Sequence, residues 1–217
     1  MLEGVIFDLD GTMFDTEQYA WQPAWTGVGR RLGLSNPELL YQSIVGLSGE
    51  EEIHAAQAVC GPDVDVAAVV AEATKEAERI SLEGVPMKRG LLELLDYLQG
   101  RGVPMAIGSS NKEHIIEHLT KAAGIRGYFS AICYGSLVER PKPAPDIFLL
   151  AAEMLGVSPA NTLVVDDSLA GAEAGLAGSF ITVMIPDMKK PTSELLGRGL
   201  HVCPDLGDLR ERLMMAE

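Results

Sequence analysis

Four places in the sequence carry residue types that could do chemistry together. Asp8 and Asp10 end an apolar run that begins at Val5, with Gly11 and Thr12 directly after them. Ser109, Ser110 and Asn111 follow the run 104–108 (PMAIG), and Asp166 and Asp167 follow the run 162–165 (TLVV). Lys142 stands between Pro141 and Pro143, which stiffen its loop. Four carboxylates brought together repel one another unless a cation lies among them. An all-oxygen ligand set suits Mg²⁺, which keeps several waters and takes few carboxylates. A lysine and a serine hydroxyl are donors for a dianion such as phosphate. Asp8 could then attack phosphorus to give an aspartyl-phosphate. Asp10, two residues on, could protonate the leaving oxygen and later deprotonate water. Mg²⁺ and Lys142 would offset charge on the transferring group.

These residues meet only if the apolar runs are strands of one sheet with their carboxyl ends together. The runs 5–9, 104–108, 162–165 and 179–185 read as buried strands, with a weaker one at 131–134. Leu91, Leu92, Leu94, Leu95 and Leu98 have helical spacing, closed by Gly100 and Gly102. Ile115, Ile116 and Leu119 fit a second helix ending near Gly124. Residues 147–155 fit a third, ending at Gly156, with Asp146 in its first turn and Pro145 near its start. Strands alternating with helices of this length predict an α/β fold with a parallel sheet. Residues 16–85 break the alternation: helical stretches at 19–32, 37–45, 50–59 and 64–80 and no strand. The expected organisation is a core of residues 1–15 and 86–217 carrying a helical insert, 16–85, on linkers near 14–16 and 84–88.

The segment Asp8-Leu9-Asp10-Gly11-Thr12, inside the run 5–17 (VIFDLDGTMFDTE), resembles the first motif of the haloacid dehalogenase superfamily. Ser109 resembles its second motif and Lys142, in KPAPDIF, its third. Asp166-Asp167-Ser168, followed by Ala170-Gly171, resembles the fourth. The four stand in the family's order, and the insert resembles the small α-helical cap of the β-phosphoglucomutase-like subgroup. The resemblance implies a Rossmann-like core with an α-helical cap that closes over the site. It implies Asp8 as nucleophile and Asp10 as general acid and base. Asp8, the main-chain carbonyl of Asp10, and Asp167 would hold Mg²⁺, with Asp166 a further candidate ligand. Ser109 and Lys142 would hold the phosphate, Gly11 and Thr12 would offer it main-chain N–H groups, and Asn111 would contact substrate or phosphate. The activity implied is a Mg²⁺-dependent phosphatase of small phosphorylated metabolites. The mutases of the subgroup place a His and an Arg at positions matching Ala20 and Gly49 here, so hydrolysis is the simpler expectation. A phosphosugar mutase, or a non-catalytic phosphate-binding protein on the same fold, are the alternatives. Substrate choice is expected on the loop 46–49 and the first insert helix, and hinge motion near Thr16 and Gly84.

Other features have plainer readings. With 17 Lys and Arg against 31 Asp and Glu, the net charge is −14, which argues against partners that need a basic footprint: nucleic acid and anionic membrane surfaces. Cys60, Cys133 and Cys203 are odd in number and far apart, as free thiols of a reducing cytoplasm are. Glu3 and Asp8 stand where a secretory signal would be basic and apolar, and no stretch is long and apolar enough to span a membrane, so a cytosolic protein is expected. Asp15 or Thr16 is expected to cap the first insert helix, and Asn111 the helix from Lys112. Trp21 and Trp25, four apart, are expected in the core of the insert. His114 and His118 are expected on a solvated face rather than at a metal.

Overall fold

The structure, a computed structural model, describes residues 2–45, 47 and 49–216. Six strands form one sheet: β1 (Gly4–Phe7), β2 (Met105–Ser109), β3 (Phe129–Tyr134), β4 (Thr162–Asp166), β5 (Ile181–Met184) and β6 (His201–Val202). Their order is β3-β2-β1-β4-β5-β6, and every pairing is parallel. β1 lies in the middle and all four of its residues are buried, which is why it reads as an unbroken apolar run rather than an alternating one. Its register sets Phe7 beside Ile107 on one side and Val165 on the other, so β1, β2 and β4 end nearly level. The chain builds outward from β1 through β2 and β3, then returns to place β4 on the opposite flank. That reversal makes the carboxyl ends of β1 and β4 the switch point, the place where ligands bind in open parallel sheets.

Helices cover the sheet through small and apolar side chains. Ile147, Phe148, Ala151 and Ala152, from the helix Asp146–Leu155, form one buried cluster with Ile6, Ala106 and Val164. Asp146 opens that helix after Pro145, as the sequence predicts. Three helices and β6 go beyond the sequence reading. The helix Leu169–Ala177 (LAGAEAGLA) has no apolar stripe because it packs by closeness instead. A Cβ added at Gly175 would lie 2.6 Å from Thr182 Oγ1. The helix Ser193–Gly197 is little more than one turn, capped by Thr192, and β6 is two residues long, too short to show a period. The helix Leu206–Met215 buries only Leu206 and Leu209 and is announced by its cap, Asp205.

The chain splits into two compact units, Met1–Phe14 with Met87–Glu217, and Asp15–Pro86. The second unit is helical. A π-helical turn, Glu17–Trp21, leads into Gln22–Arg31, followed by Glu38–Ile44, Glu50–Cys60 and Val66–Glu83. Its own core gathers Trp25, Val28, Leu40, Tyr41, Ile44 and Val69, with Trp21 packed against it, so both tryptophans are structural. Thr16 occupies the cap position at its start, but its hydroxyl makes no capping bond and is buried without a hydrogen-bond partner among the described residues. Asp65 caps the longest helix instead, accepting from Ala68 N–H at 3.2 Å. Of the loop 46–49 expected to govern substrate choice, Gly46 and Ser48 lie outside the described residues. Gly49 precedes the helix Glu50–Cys60 at φ +61°. Ala20 is fully buried.

Candidate active site

The site is built from four loops of the larger unit, each leaving a strand or entering a helix at the carboxyl edge of the sheet. Asp8 directly follows β1, and its N–H donates to Val165 O at 2.9 Å, which ties it to β4. Asp166 ends β4 and Asp167 follows. All three carboxylates are buried, and each offers an oxygen within 4.8 Å of the others. Among the described residues no other group of three potential ligands comes together, and His114 and His118 are exposed, as expected.

Lys142 holds this cluster together. Its Nζ lies 2.6 Å from Asp8 Oδ1 and 2.8 Å from Asp166 Oδ2, with only 7% of the side chain exposed. It also stands 4.6 Å above the centre of the Phe148 ring, a cation–π contact from the helix its loop enters. Burial disfavours the ammonium charge, but Asp166 and Asp8 outweigh it and hold Lys142 above the usual lysine range. The Asp8 carboxyl is pushed up to about 7, chiefly by burial, against the pull of Lys142 and with the negative charges of Asp166 and Asp10 adding to the rise. One lysine does not neutralise three buried carboxylates, and their donors are all oxygen. The cluster therefore fits a hard divalent cation.

Asp166 has both oxygens engaged. Oδ2 faces Lys142, and Oδ1 accepts from Ser168 N–H at 2.9 Å and Ser168 Oγ at 2.7 Å. Ser168 in turn caps the helix Leu169–Ala177 by accepting from Gly171 N–H. Gly171 is obligatory there, since an added Cβ would lie 1.9 Å from the Asp166 carboxylate. Thr12 Oγ1 donates to Asp167 Oδ1 at 2.9 Å across 155 residues of sequence. Gly11 adopts φ +78° with its Cα against the same aspartate: a Cβ would lie 2.4 Å from Asp167 Oδ2.

Asp10 stands apart from the three-carboxylate cluster. Asn111 Nδ2 donates to Asp10 Oδ2 at 3.0 Å and reaches Oδ1 at 3.3 Å, and Ser109 Oγ lies 3.5 Å from Oδ2. Ser109 also accepts from Asn111 N–H at 3.0 Å.

Two expectations from the sequence are corrected. Gly11 does not offer its N–H to a ligand, because that group donates to Phe14 O at 2.8 Å as the chain turns sharply after β1. The N–H of Thr12 meets no partner among the described residues, while its hydroxyl is committed to Asp167. Asn111 is not the cap of the next helix. That place falls to Lys112, whose N–H donates to Asn111 Oδ1. Ser168 and Phe148 are positioning residues that sequence reasoning passed over. Ser168 had a visible signal, a serine directly after the aspartate pair; Phe148 reads in sequence only as core.

Buried carboxylates and a lysine at the switch point of a parallel α/β sheet form a site whose donors fit a hard cation. The family model of the haloacid dehalogenase-like hydrolases matches residues 2–178. Fructose-1-phosphate phosphatase YqaB of Escherichia coli (strain K12) is 34% identical over 184 residues, 83% of this chain and 94% of that protein. Hexitol phosphatase A of the same organism is 33% identical over 183 residues, 81% and 79% of the two chains. The crystal structure of a putative beta-phosphoglucomutase from Thermotoga maritima shares the fold, with a TM-score of 0.78 over the whole of both chains at 23% identity. The chain belongs to the haloacid dehalogenase-like hydrolase family. No helix among the described residues is long and apolar enough to cross a membrane.

Proposed function

We propose that this phosphoric monoester hydrolase acts on monophosphorylated sugars or sugar alcohols, with Mg²⁺, through a phosphoryl group carried on Asp8. The observation that carries the reading is the Lys142 ammonium bridging Asp8 and Asp166 inside a buried three-carboxylate cluster. The names of the two phosphatase relatives support the substrate class. The insert has neither the His nor the Arg of the mutases, with Ala20 and Gly49 in their places, so water is the acceptor we assign.

Asp8, the main-chain carbonyl of Asp10, and Asp167 would hold the cation. Asp166, with both oxygens already engaged, orients Lys142. Bound there, Mg²⁺ supplies positive charge against the carboxylates and the phosphoryl oxygens. Ser109, Lys142 and the N–H of Thr12 are donors for the phosphate. A carboxylate oxygen of Asp8 attacks phosphorus, the P–O bond to the sugar breaks, and the departing alkoxide takes the proton of Asp10. Asp10 then takes a proton from water as the water oxygen attacks phosphorus. The bond to Asp8 breaks, and phosphate and the free Asp8 carboxylate are regenerated. The free cysteines fit a reducing compartment, and we place the enzyme in the cytosol.

The test is phosphate release from a panel of sugar, polyol and nucleoside monophosphates with and without Mg²⁺, for wild type and Asp8→Asn. The expected result is Mg²⁺-dependent release, strongest on hexose or hexitol monophosphates and abolished in Asp8→Asn. Equal rates for variant and wild type would remove Asp8 as nucleophile.

A further inference from the structure

Asn111 stands where the family resemblance implies a contact to substrate or phosphate, but its hydrogen bonds run elsewhere. Its Nδ2 reaches both oxygens of Asp10, at 3.0 and 3.3 Å. The orientation of the amide is not arbitrary. Lys112 N–H, which can only donate, meets the other end of the amide at 2.7 Å, so that end is the oxygen and the end facing Asp10 is the donor. The main chain of Asn111 is pinned as well, its N–H donating to Ser109 Oγ at 3.0 Å. Ser109 lies 3.5 Å from Asp10 Oδ2, so the whole turn after β2 is organised around one carboxyl group.

Building on the reaction assigned above, we propose that Asn111 is a positioning residue for the general acid and base. It fixes the plane of the Asp10 carboxyl so that one oxygen faces the leaving group in the first half-reaction and the water in the second. The physical need is specific. Asp10 lies two residues after the nucleophile on a turning segment, and a free aspartate there would rotate about χ1 and χ2. An amide donor shared between both oxygens holds the carboxylate without choosing between them. When Asp10 is protonated, one oxygen still accepts from Nδ2 and the other carries the proton. The same bond thus serves both protonation states, as an acid that becomes a base within one turnover requires.

The two roles separate with leaving-group chemistry. A sugar alkoxide leaves only as it is protonated, whereas p-nitrophenolate leaves without a proton. Asn111→Ala and Asn111→Asp are compared with wild type on a hexose monophosphate and on p-nitrophenyl phosphate. Asn111→Asp keeps the acceptor for Lys112 N–H and replaces the donor facing Asp10 by a carboxylate. Inorganic phosphate serves as a competitive inhibitor, and circular dichroism melts confirm folding. The readout is kcat/KM, which ends at departure of the leaving group and so leaves out the hydrolysis of phospho-Asp8, where Asp10 serves both esters alike. The expected result for Asn111→Ala is a fall in kcat/KM on the sugar phosphate of roughly 10- to 100-fold, the scale of a misplaced catalytic group. The fall in kcat/KM on p-nitrophenyl phosphate is a few-fold at most, and inhibition of this variant by phosphate is unchanged. Asn111→Asp, folded as wild type, falls further on the sugar phosphate than Asn111→Ala does. For Asn111→Ala, equal losses of kcat/KM on both esters, or weakened inhibition by phosphate, would overturn the proposal and return Asn111 to phosphate binding. Unchanged kcat/KM on the sugar phosphate would overturn it too. If wild type released phosphate from neither ester, the failure would lie with the reaction itself rather than with Asn111.

Discussion

Lys142 is the residue on which the site's electrostatics turn. In sequence it is one lysine in a proline-rich loop, and only its partners reveal why it is there. Its ammonium lies within 2.8 Å of two buried carboxylates. Removing it leaves both without a counter-charge, a loss of about 3–5 kcal/mol for a broken buried pair. Lys142→Met keeps the stem that packs on Phe148 and removes only the charge. The expected outcome is a fall in stability of that size with the divalent cation chelated away, and a smaller fall with Mg²⁺ in excess, since the cation supplies part of the lost positive charge. Urea titrations under the two conditions check this, and equal losses in both would separate Lys142 from the cation site. The sequence showed the types of all nine candidate residues because each sits at a strand end or in a stiffened loop. It could not show which hydrogen bonds each would make. Gly11 has its N–H taken by Phe14, Thr12 serves Asp167 through its side chain, and Asn111 faces Asp10. The last two depend on the fold bringing together residues 155 and 101 positions apart, and the first on a tight turn that only the backbone geometry reveals.

At the scale of the element, the helix Leu169–Ala177 shows propensity and packing in opposition. Alanine is favoured over glycine in a helix interior by about 1 kcal/mol. Gly171→Ala should therefore stabilise an isolated helix. In this fold the new methyl group would lie 1.9 Å from the Asp166 carboxylate, which Lys142 and Ser168 hold in place. The clash wins: we expect a lower melting temperature and a marked loss of kcat. A stabilised, fully active Gly171→Ala would mean that Asp166 can move without consequence. The same helix explains a gap in what the sequence revealed. The strands β1, β2, β4 and β5 and the helices with leucine or isoleucine stripes were legible because burial selects large apolar side chains at fixed spacing. Leu169–Ala177 buries glycine and alanine, so closeness of approach replaced periodicity, and the serine cap before it was the surviving signal. Proline cannot test the hinge expected near Gly84, because this residue sits at φ +123° with its N–H donating to Ser81 O. Proline fits neither feature, so Gly84→Pro would disrupt the end of the helix Val66–Glu83 whatever the hinge does.

At the scale of the whole molecule, the helical unit is spliced into the larger one, and its two ends close on each other. Asp15 N–H donates to Pro86 O at 2.9 Å. In the larger unit Phe14 pairs with Met87, and Lys88 N–H donates to Met13 O. Each unit has its own apolar cluster, so each has its own source of stability. The sequence has two tryptophans, Trp21 and Trp25, and both lie in the helical unit. Tryptophan fluorescence therefore reports on that unit alone, while far-ultraviolet circular dichroism is the sum of both. Trp25 is 1% exposed at the centre of its cluster, and Trp25→Phe removes part of a large buried ring while keeping an aromatic core. A truncation of that kind costs on the order of 1–3 kcal/mol, less than the 3–5 kcal/mol of full removal to alanine. The loss falls on the helical unit alone if the two cores are energetically separate. The expected outcome in urea is an early transition in Trp21 fluorescence and a later one in circular dichroism that keeps its wild-type midpoint. Mg²⁺ should move only the later one, because all three clustered carboxylates belong to the larger unit. A single transition, displaced equally for both probes, would mean that the closed junction transmits stability and that the units fold as one.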